Sequence, residues 1–313
     1  MEALIVDGLT YSRLGGNINS VYNTMPFAET NRNKVDEILY IVVYKEDSPR
    51  FGCVFGVIGD VWKCPFSAPF GYIEPLKKGQ SVWDFEEALC AVESVAKERK
   101  CAILSITLPP TFYSEGVINT WYAVMISHGW KCQCADINFA INLQQMDEEY
   151  MSKISYNARK NLKKALKLEM SIKECLSIEE KKEAYEIIQR NREYKGYPLR
   201  MTEEQVLRTI EVVPAHVYMV SDSEKLAAAL VYDVTSKVSQ VIYWGDVPEC
   251  QGKNAINYLS YELVDIYLKR GMHYLDIGPS TENGVPNYGL CNFKDSIGCE
   301  RAVKFSFSKE IAG

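Results

Sequence analysis

Histidine is scarce in this sequence: His128, His216 and His273 are the only three, dispersed along 313 residues. None of the ten cysteines stands in a C-x-x-C pair. Zinc sites are built from clustered Cys and His ligands, so no metal is expected. Disulfide frameworks belong to short secreted chains, which this is not. With Cys53, Cys90 and Cys101 set inside apolar patterns, reduced and buried thiols are the expectation. Long apolar runs are also missing, and none approaches the roughly 20 residues of a membrane-crossing helix. The opening MEALIVDGLTYSR lacks a basic stretch and a cleavage site of small residues, so no secretory leader is expected. The cytoplasm is the expected location. Basic excess is absent too, and a formal net charge of −6 argues against a dedicated nucleic-acid binder.

What is present is an ordinary globular composition, 47% hydrophobic and 24% charged, in a chain long enough for two cores. The Gly15–Gly16 pair suggests a loop. EILYIVVY and FGCVFGVI read as strands joined by a polar turn, with the short run VWKC after them. PFSAPFGY has too much Pro and Gly for regular structure. WDFEEALCAVESVAKERK places Phe85, Leu89, Val92 and Ala96 on one helical face. A buried strand CAILSIT, a helix ended by Gly129 and the strand WKCQCADINFAINL follow. The second half repeats that order and again closes its last helix with glycine, Gly298. Such a repeat predicts two similar α/β domains, residues 1–150 and 151–313. Between them, the segment from Lys153 to Lys167 holds six Lys or Arg residues and no acid. Capping boxes at Ser177/Glu180 and Thr202/Gln205 announce two further helices. The loop RNREYKGYPLR lies between them.

The stretch from Gln240 to Gly298 organises the second half. QVIYWGDV is a strand, VPECQGKNAI a turn, and the residues to Lys269 an amphipathic helix stopped by Gly271. HYLDIG then reads as a buried strand before the short helix of LCNFKDSIG. A turn feeding a helix N-terminus can aim backbone N–H groups at an anion.

The turn resembles the pyrophosphate loop of the GNAT acyltransferase superfamily, with Gln251, Gly252 and Lys253 matching and Asn254 and Ile256 standing where glycines belong. Three further segments resemble the Fem-type (FemABX-like) aminoacyltransferases, which are tandem GNAT folds. They are Asn157-Ala158-Arg159-Lys160-Asn161, Tyr274-Leu275-Asp276-Ile277-Gly278, and Phe293-Lys294 with Gly298; the second Phe of that last box is Ile297 here. PFSAPFGY is similar to a segment on the acceptor side of Fem-type first domains. The resemblance implies an α/β (α+β) chain of two GNAT-like domains, each a mixed, mostly antiparallel sheet flanked by helices. The first would serve the acceptor side and the second donor binding and transfer.

It also implies roles. Lys294 is the foremost catalytic candidate, as a cation for the oxyanion or leaving group, expected at the rim of its short helix. Tyr288 is a candidate proton donor. Asp276 is either a general base or a structural carboxylate. Gln251, Gly252, Lys253, Asn254 and Ala255 would bind the donor's pyrophosphate; Phe293, Tyr243 and Trp244 are substrate-binding candidates, Tyr243 and Trp244 either packing in the core or one of them lining the acyl pocket. Arg159, Lys163 and Lys167 would meet phosphates, or form a solvated face. The expected activity is transfer of an acyl group from acyl-CoA to the amine of a small molecule or cell-envelope precursor. The alternatives are Fem-type transfer from aminoacyl-tRNA to a cell-wall precursor, with tRNA as partner, and a non-catalytic GNAT-like binding module.

Overall fold

A computed structural model of the chain describes residues 1–14, 18–146 and 150–311. The expected loop at Gly15–Gly16 lies outside them. The chain forms two compact units, one of residues 1–137 with the segment from Ala302 onward, the other Asn138–Arg301.

The first unit opens with strand β1 (Glu2–Val6) and helix α1 (Gly8–Ser12), which the sequence left unassigned. Helix α2 (Met25–Thr30) and strands β2 (Glu37–Lys45), β3 (Ser48–Ile58) and β4 (Val61–Cys64) follow, then the two-residue β5 (Glu74–Pro75). Helix α3 (Val82–Glu98) starts on a capping box of Ser81 and Asp84. Strand β6 (Ile103–Thr107), helix α4 (Glu115–Ser127) and strand β7 (Lys131–Asn142) complete the run. The continuous apolar character of β2 has a simple cause: both its faces are covered. Leu39, Ile41 and Val43 meet the α3 and α4 side, with Phe85, Leu89 and Trp121. Ile38, Tyr40 and Val42 meet the other, with Tyr11 of α1 and Ala28 of α2.

The second unit contains α5 (Tyr150–Lys153), α6 (Tyr156–Ala165), β8 (Ser171–Glu174), α7 (Ile178–Lys195) and α8 (Glu203–Ile210). Strands β9 (Ala215–Ser221), β10 (Lys225–Asp233) and β11 (Val238–Asp246) form an antiparallel meander. A 3₁₀ turn (Pro248–Lys253) leads to helix α9 (Ala255–Lys269), and Gly271 beyond it takes φ +73°. Then come β12 (Tyr274–Pro279), the small ribbon of β13 (Thr281–Glu282) and β14 (Val285–Pro286), and helix α10 (Tyr288–Ser296). The sheet order is β12-β11-β10-β9-β8, with the last residues of β7 antiparallel to β12. Ala158, Leu162 and Ala165 bury one face of α6, and Leu259, Leu263 and Tyr267 one face of α9, both against the sheet's Ala227, Ala229 and Val231. Alanines at those two sheet positions let the helices lie close. Helix α7 covers the opposite face of β10 and β11.

The last strand, β15 (Glu300–Glu310), leaves the second unit and enters the sheet of the first, whose order is β1-β2-β3-β4-β6-β15-β7. Ten free thiols are present, but only Cys53, Cys64, Cys101 and Cys175 are buried; Cys90 and Cys132 are exposed, which corrects the expectation of a uniformly buried set. Among the described residues no helix is long and apolar enough to cross a membrane.

Candidate active site

The parallel strands β11 and β12 pair over three positions only, Val238–Tyr274, Ser239–Leu275 and Gln240–Asp276. Beyond them β11 runs on with β10 alone, while β12 turns toward β7 through a register shift between Asp276 and Gly278. The strands therefore diverge at their carboxyl ends and leave a wedge, the kind of place where α/β sheets accept ligands. Asp276 fixes its apex. That carboxylate is fully buried and accepts from Asn138 Nδ2 at 2.7 Å, Gln240 Nε2 at 2.7 Å and the Gly278 N–H at 2.8 Å. Donors engage both oxygens, so the geometry supports the structural reading of Asp276 over the general base.

Lys294 reaches the wedge from α10. It is 3% exposed, not at a solvated rim as the sequence suggested, because the FKDSIG helix is clamped at both ends. Asn287 caps its start by accepting the Leu290 N–H, and the Asn287 N–H donates to Ser280 O. At its other end Ser296 O accepts from the Ser155 N–H and Ile297 O from the Tyr150 hydroxyl. Ser155 is also the N-cap of α6, so the two Fem-like motifs meet through one backbone bond. The Lys294 amine donates to Gly278 O at 2.8 Å and Pro279 O at 2.9 Å, with the Phe139 ring 5.4 Å away. The Gly278 carbonyl is aimed there because Gly278 takes φ +77°. Among the described residues no carboxylate lies within ion-pair distance of this amine. Burial pushes its pKa down to about 8, against upward pulls from Cys299 and Asp276 and with a further downward push from Arg192. An ammonium has three N–H donors and the protein takes two, so one remains for a ligand.

Tyr288 sits six positions earlier on α10, about 9 Å along the axis and on another face. It is 74% exposed, so the structure does not bring it to the Lys294 amine as a proton donor. Phe293 and Trp244 do meet, with ring centroids 6.1 Å apart at 67°. Tyr243 is buried on the α7 side. There it carries a group the sequence reading missed: the Arg192 guanidinium lies 5.3 Å from its centroid and 6.0 Å from that of Tyr197. Asn191 places it, donating to Asp246 O at 2.8 Å and Asp246 Oδ1 at 2.7 Å. The close approach requires Gly245, where a Cβ would fall 2.6 Å from Asn191 Cβ. The only available signal was the cluster of basic residues and tyrosines in RNREYKGYPLR.

The other candidates are placed less favourably. Gln251, Gly252 and Lys253 are wound into the 3₁₀ turn, and Asn254 follows in the left-handed conformation. Lys253 is held by Asp222 at 2.8 Å and Glu224 at 3.4 Å, and Ala255 is buried in the core. The lysine of this loop is thus engaged by two acids of the β9–β10 turn. Arg159 is half-buried and donates to Ile154 O at 3.2 Å, which takes it off the exposed basic row; Lys160, Lys163, Lys164 and Lys167 remain exposed.

No family profile matches the sequence, and no curated protein does. Solved structures do. FemX aligns with TM-score 0.74 at 12% identity, over 99% of this chain and 97% of its own. L-PGS from Bacillus licheniformis aligns at 0.61 and 10% identity, over 99% and 94%. A tandem GNAT protein from the clavulanic acid biosynthesis pathway aligns at 0.53 and 10% identity, over 100% and 99%. The chain thus has a tandem GNAT-like fold. Within that class its fold is similar to that of FemX.

Proposed function

We propose that this chain transfers an aminoacyl group from an ester donor, an aminoacyl-tRNA, to the amine of a cell-envelope precursor. The observation that carries the reading is Lys294, a buried cation in the wedge with one N–H unassigned. In the reaction the acceptor nitrogen forms a bond to the ester carbonyl carbon and the carbonyl oxygen becomes an oxyanion. The C–O bond to the donor sugar then breaks, its oxygen takes a proton, the nitrogen loses one, and an amide remains. The free N–H of Lys294 points its charge at the oxyanion or leaving oxygen, where a single donor in a water-poor site is worth about 2.7–4 kcal/mol. A pKa near the working pH lets the same amine deliver the proton and recover it. The exposed lysines of α6 supply phosphate contacts for an RNA donor.

Acyl-CoA is the second reading, favoured by the exposed Gln251 and Gly252 ahead of α9. The engaged Lys253 and the acids around it weigh against pyrophosphate there. Purified protein is assayed with aminoacyl-tRNA and with acetyl-CoA as donors, and co-purifying nucleotide is sought by mass spectrometry. Transfer from aminoacyl-tRNA that drops about a hundredfold or more in Lys294→Ala is the expected result, in kcat and kcat/KM together. Transfer from acetyl-CoA only, or full activity of the alanine variant, overturns it.

A further inference from the structure

The chemistry above employs one cation, yet the second unit holds another that the protein leaves without a hydrogen-bonding partner among the described residues. The Arg192 side chain has no hydrogen bond or ion pair to any described residue, and its Nε is enclosed and unpartnered. Its neighbours in sequence are different: Arg190 pairs with Glu249 at 2.9 Å and Arg200 with Glu282 at 2.6 Å. Burial lowers the Arg192 pKa, against upward pulls from Tyr243 and Tyr197, and Arg192 contributes a minor downward push on Lys294. On the loop that holds Lys294, Ser280 Oγ is also buried without a partner. Arg192 as a whole is half-buried, with only its Nε enclosed, so its guanidinium carries part of a desolvation cost that a ligand of opposite charge offsets.

We propose that Arg192, stacked on Tyr243, is a recognition residue for an oxyanion that the substrate itself carries, a carboxylate or a phosphate close to the reacting group. This deepens the transfer reading, in that it takes the wedge to be where substrate binds. Lys294 meets charge that develops during the reaction; Arg192 meets charge present from the start. The Tyr243 and Tyr197 rings lie against the guanidinium, and its planar fork of donors suits a two-point contact with an oxyanion.

The test needs no turnover. Thermal unfolding of the whole protein is followed against inorganic phosphate and, separately, acetate, at ionic strength held constant with chloride. Wild type is expected to show a saturable rise in Tm with one of the two, which identifies the source of the oxyanion. Arg192→Met and Arg192→Gln are expected to weaken that response at least about tenfold, the loss of one charged hydrogen-bonding partner. Arg208→Met, on the exposed face of α8, keeps it. No saturable response in wild type, or an undiminished one in both Arg192 variants, overturns the proposal. A protein that binds the oxyanion but moves no acyl group refutes the transfer reading and leaves this one standing.

Discussion

At the scale of single residues, Lys294 shows what a sequence can and cannot convey. Its identity as the residue to watch was legible from the Phe293-Lys294 box. Its burial was not, because the two carbonyls that hold it come from a bulge some fifteen residues earlier in the chain. That burial changes the stability expected of variants. The folded-state pKa falls from 10.5 to about 8, so below pH 8 the amine is charged in both states and the full desolvation penalty applies. Between pH 8 and 10.5 the folded protein is neutral here while the unfolded chain is still charged, and stability rises with pH. Lys294→Met lacks this dependence. Its stability relative to wild type is therefore expected to fall by roughly 3 kcal/mol between pH 7 and pH 10.5, at about 1.36 kcal/mol for each pH unit that separates the folded and unfolded pKa. Urea unfolding of both proteins across that range checks it; a difference that stays flat with pH contradicts a buried Lys294 with a lowered pKa. Arg192 left no signal in the sequence beyond the cluster of basic residues and tyrosines around it. Helical spacing places it in a charged segment, and only the distant contact with β11 encloses it.

At the scale of elements, the contact of α7 with β11 decides where Arg192 stands. Gly245→Ala would press a methyl carbon to 2.6 Å from Asn191 Cβ, closer than such carbons sit without something shifting. A loss of about 1–3 kcal/mol is expected, the usual range for overpacking. The Arg192-dependent oxyanion response should weaken with it, while the far side of the sheet, under α9, is undisturbed. Chemical denaturation together with the phosphate and acetate titrations measures both. Helix α6 tests the donor. Changing Lys163, Lys164 and Lys167 to glutamine is expected to raise KM for aminoacyl-tRNA and flatten its salt dependence, with kcat little altered. Equal salt slopes for variant and wild type would leave these lysines as a solvated face. Elements were the most legible level: capping boxes at Ser177 and Thr202 and glycines at 271 and 298 fall where the helices begin and end. The loop before α9 was the least legible, since V-P-E-C-Q-G-K-N-A-I matches a phosphate-binding spacing while Asp222 and Glu224, brought in from the β9–β10 turn, occupy its lysine.

At the scale of the whole molecule, the repeated order of strands and helices made the tandem fold readable without any relative in hand. Period-2 and period-3.6 patterns survive where sequence identity falls to 12% or less, because they record burial rather than ancestry. What no local pattern could reveal is that the final strand belongs to the first unit. β15 lies beside β6, pairing Ser306–Thr107 through Glu310–Ile103, across almost two hundred residues of chain.

That strand reverses the order in which the protein can be finished during its synthesis. A ribosome adds about 5–20 residues each second, and multidomain chains ordinarily complete their N-terminal part first. Here the N-terminal sheet must wait, with an edge of β6 unpaired, until residues 302–310 have been made. The intervening segment, 138–301, contains its own core and emerges earlier. The nascent chain is thus left for roughly ten to forty seconds with an open β edge, the feature that invites pairing with other chains.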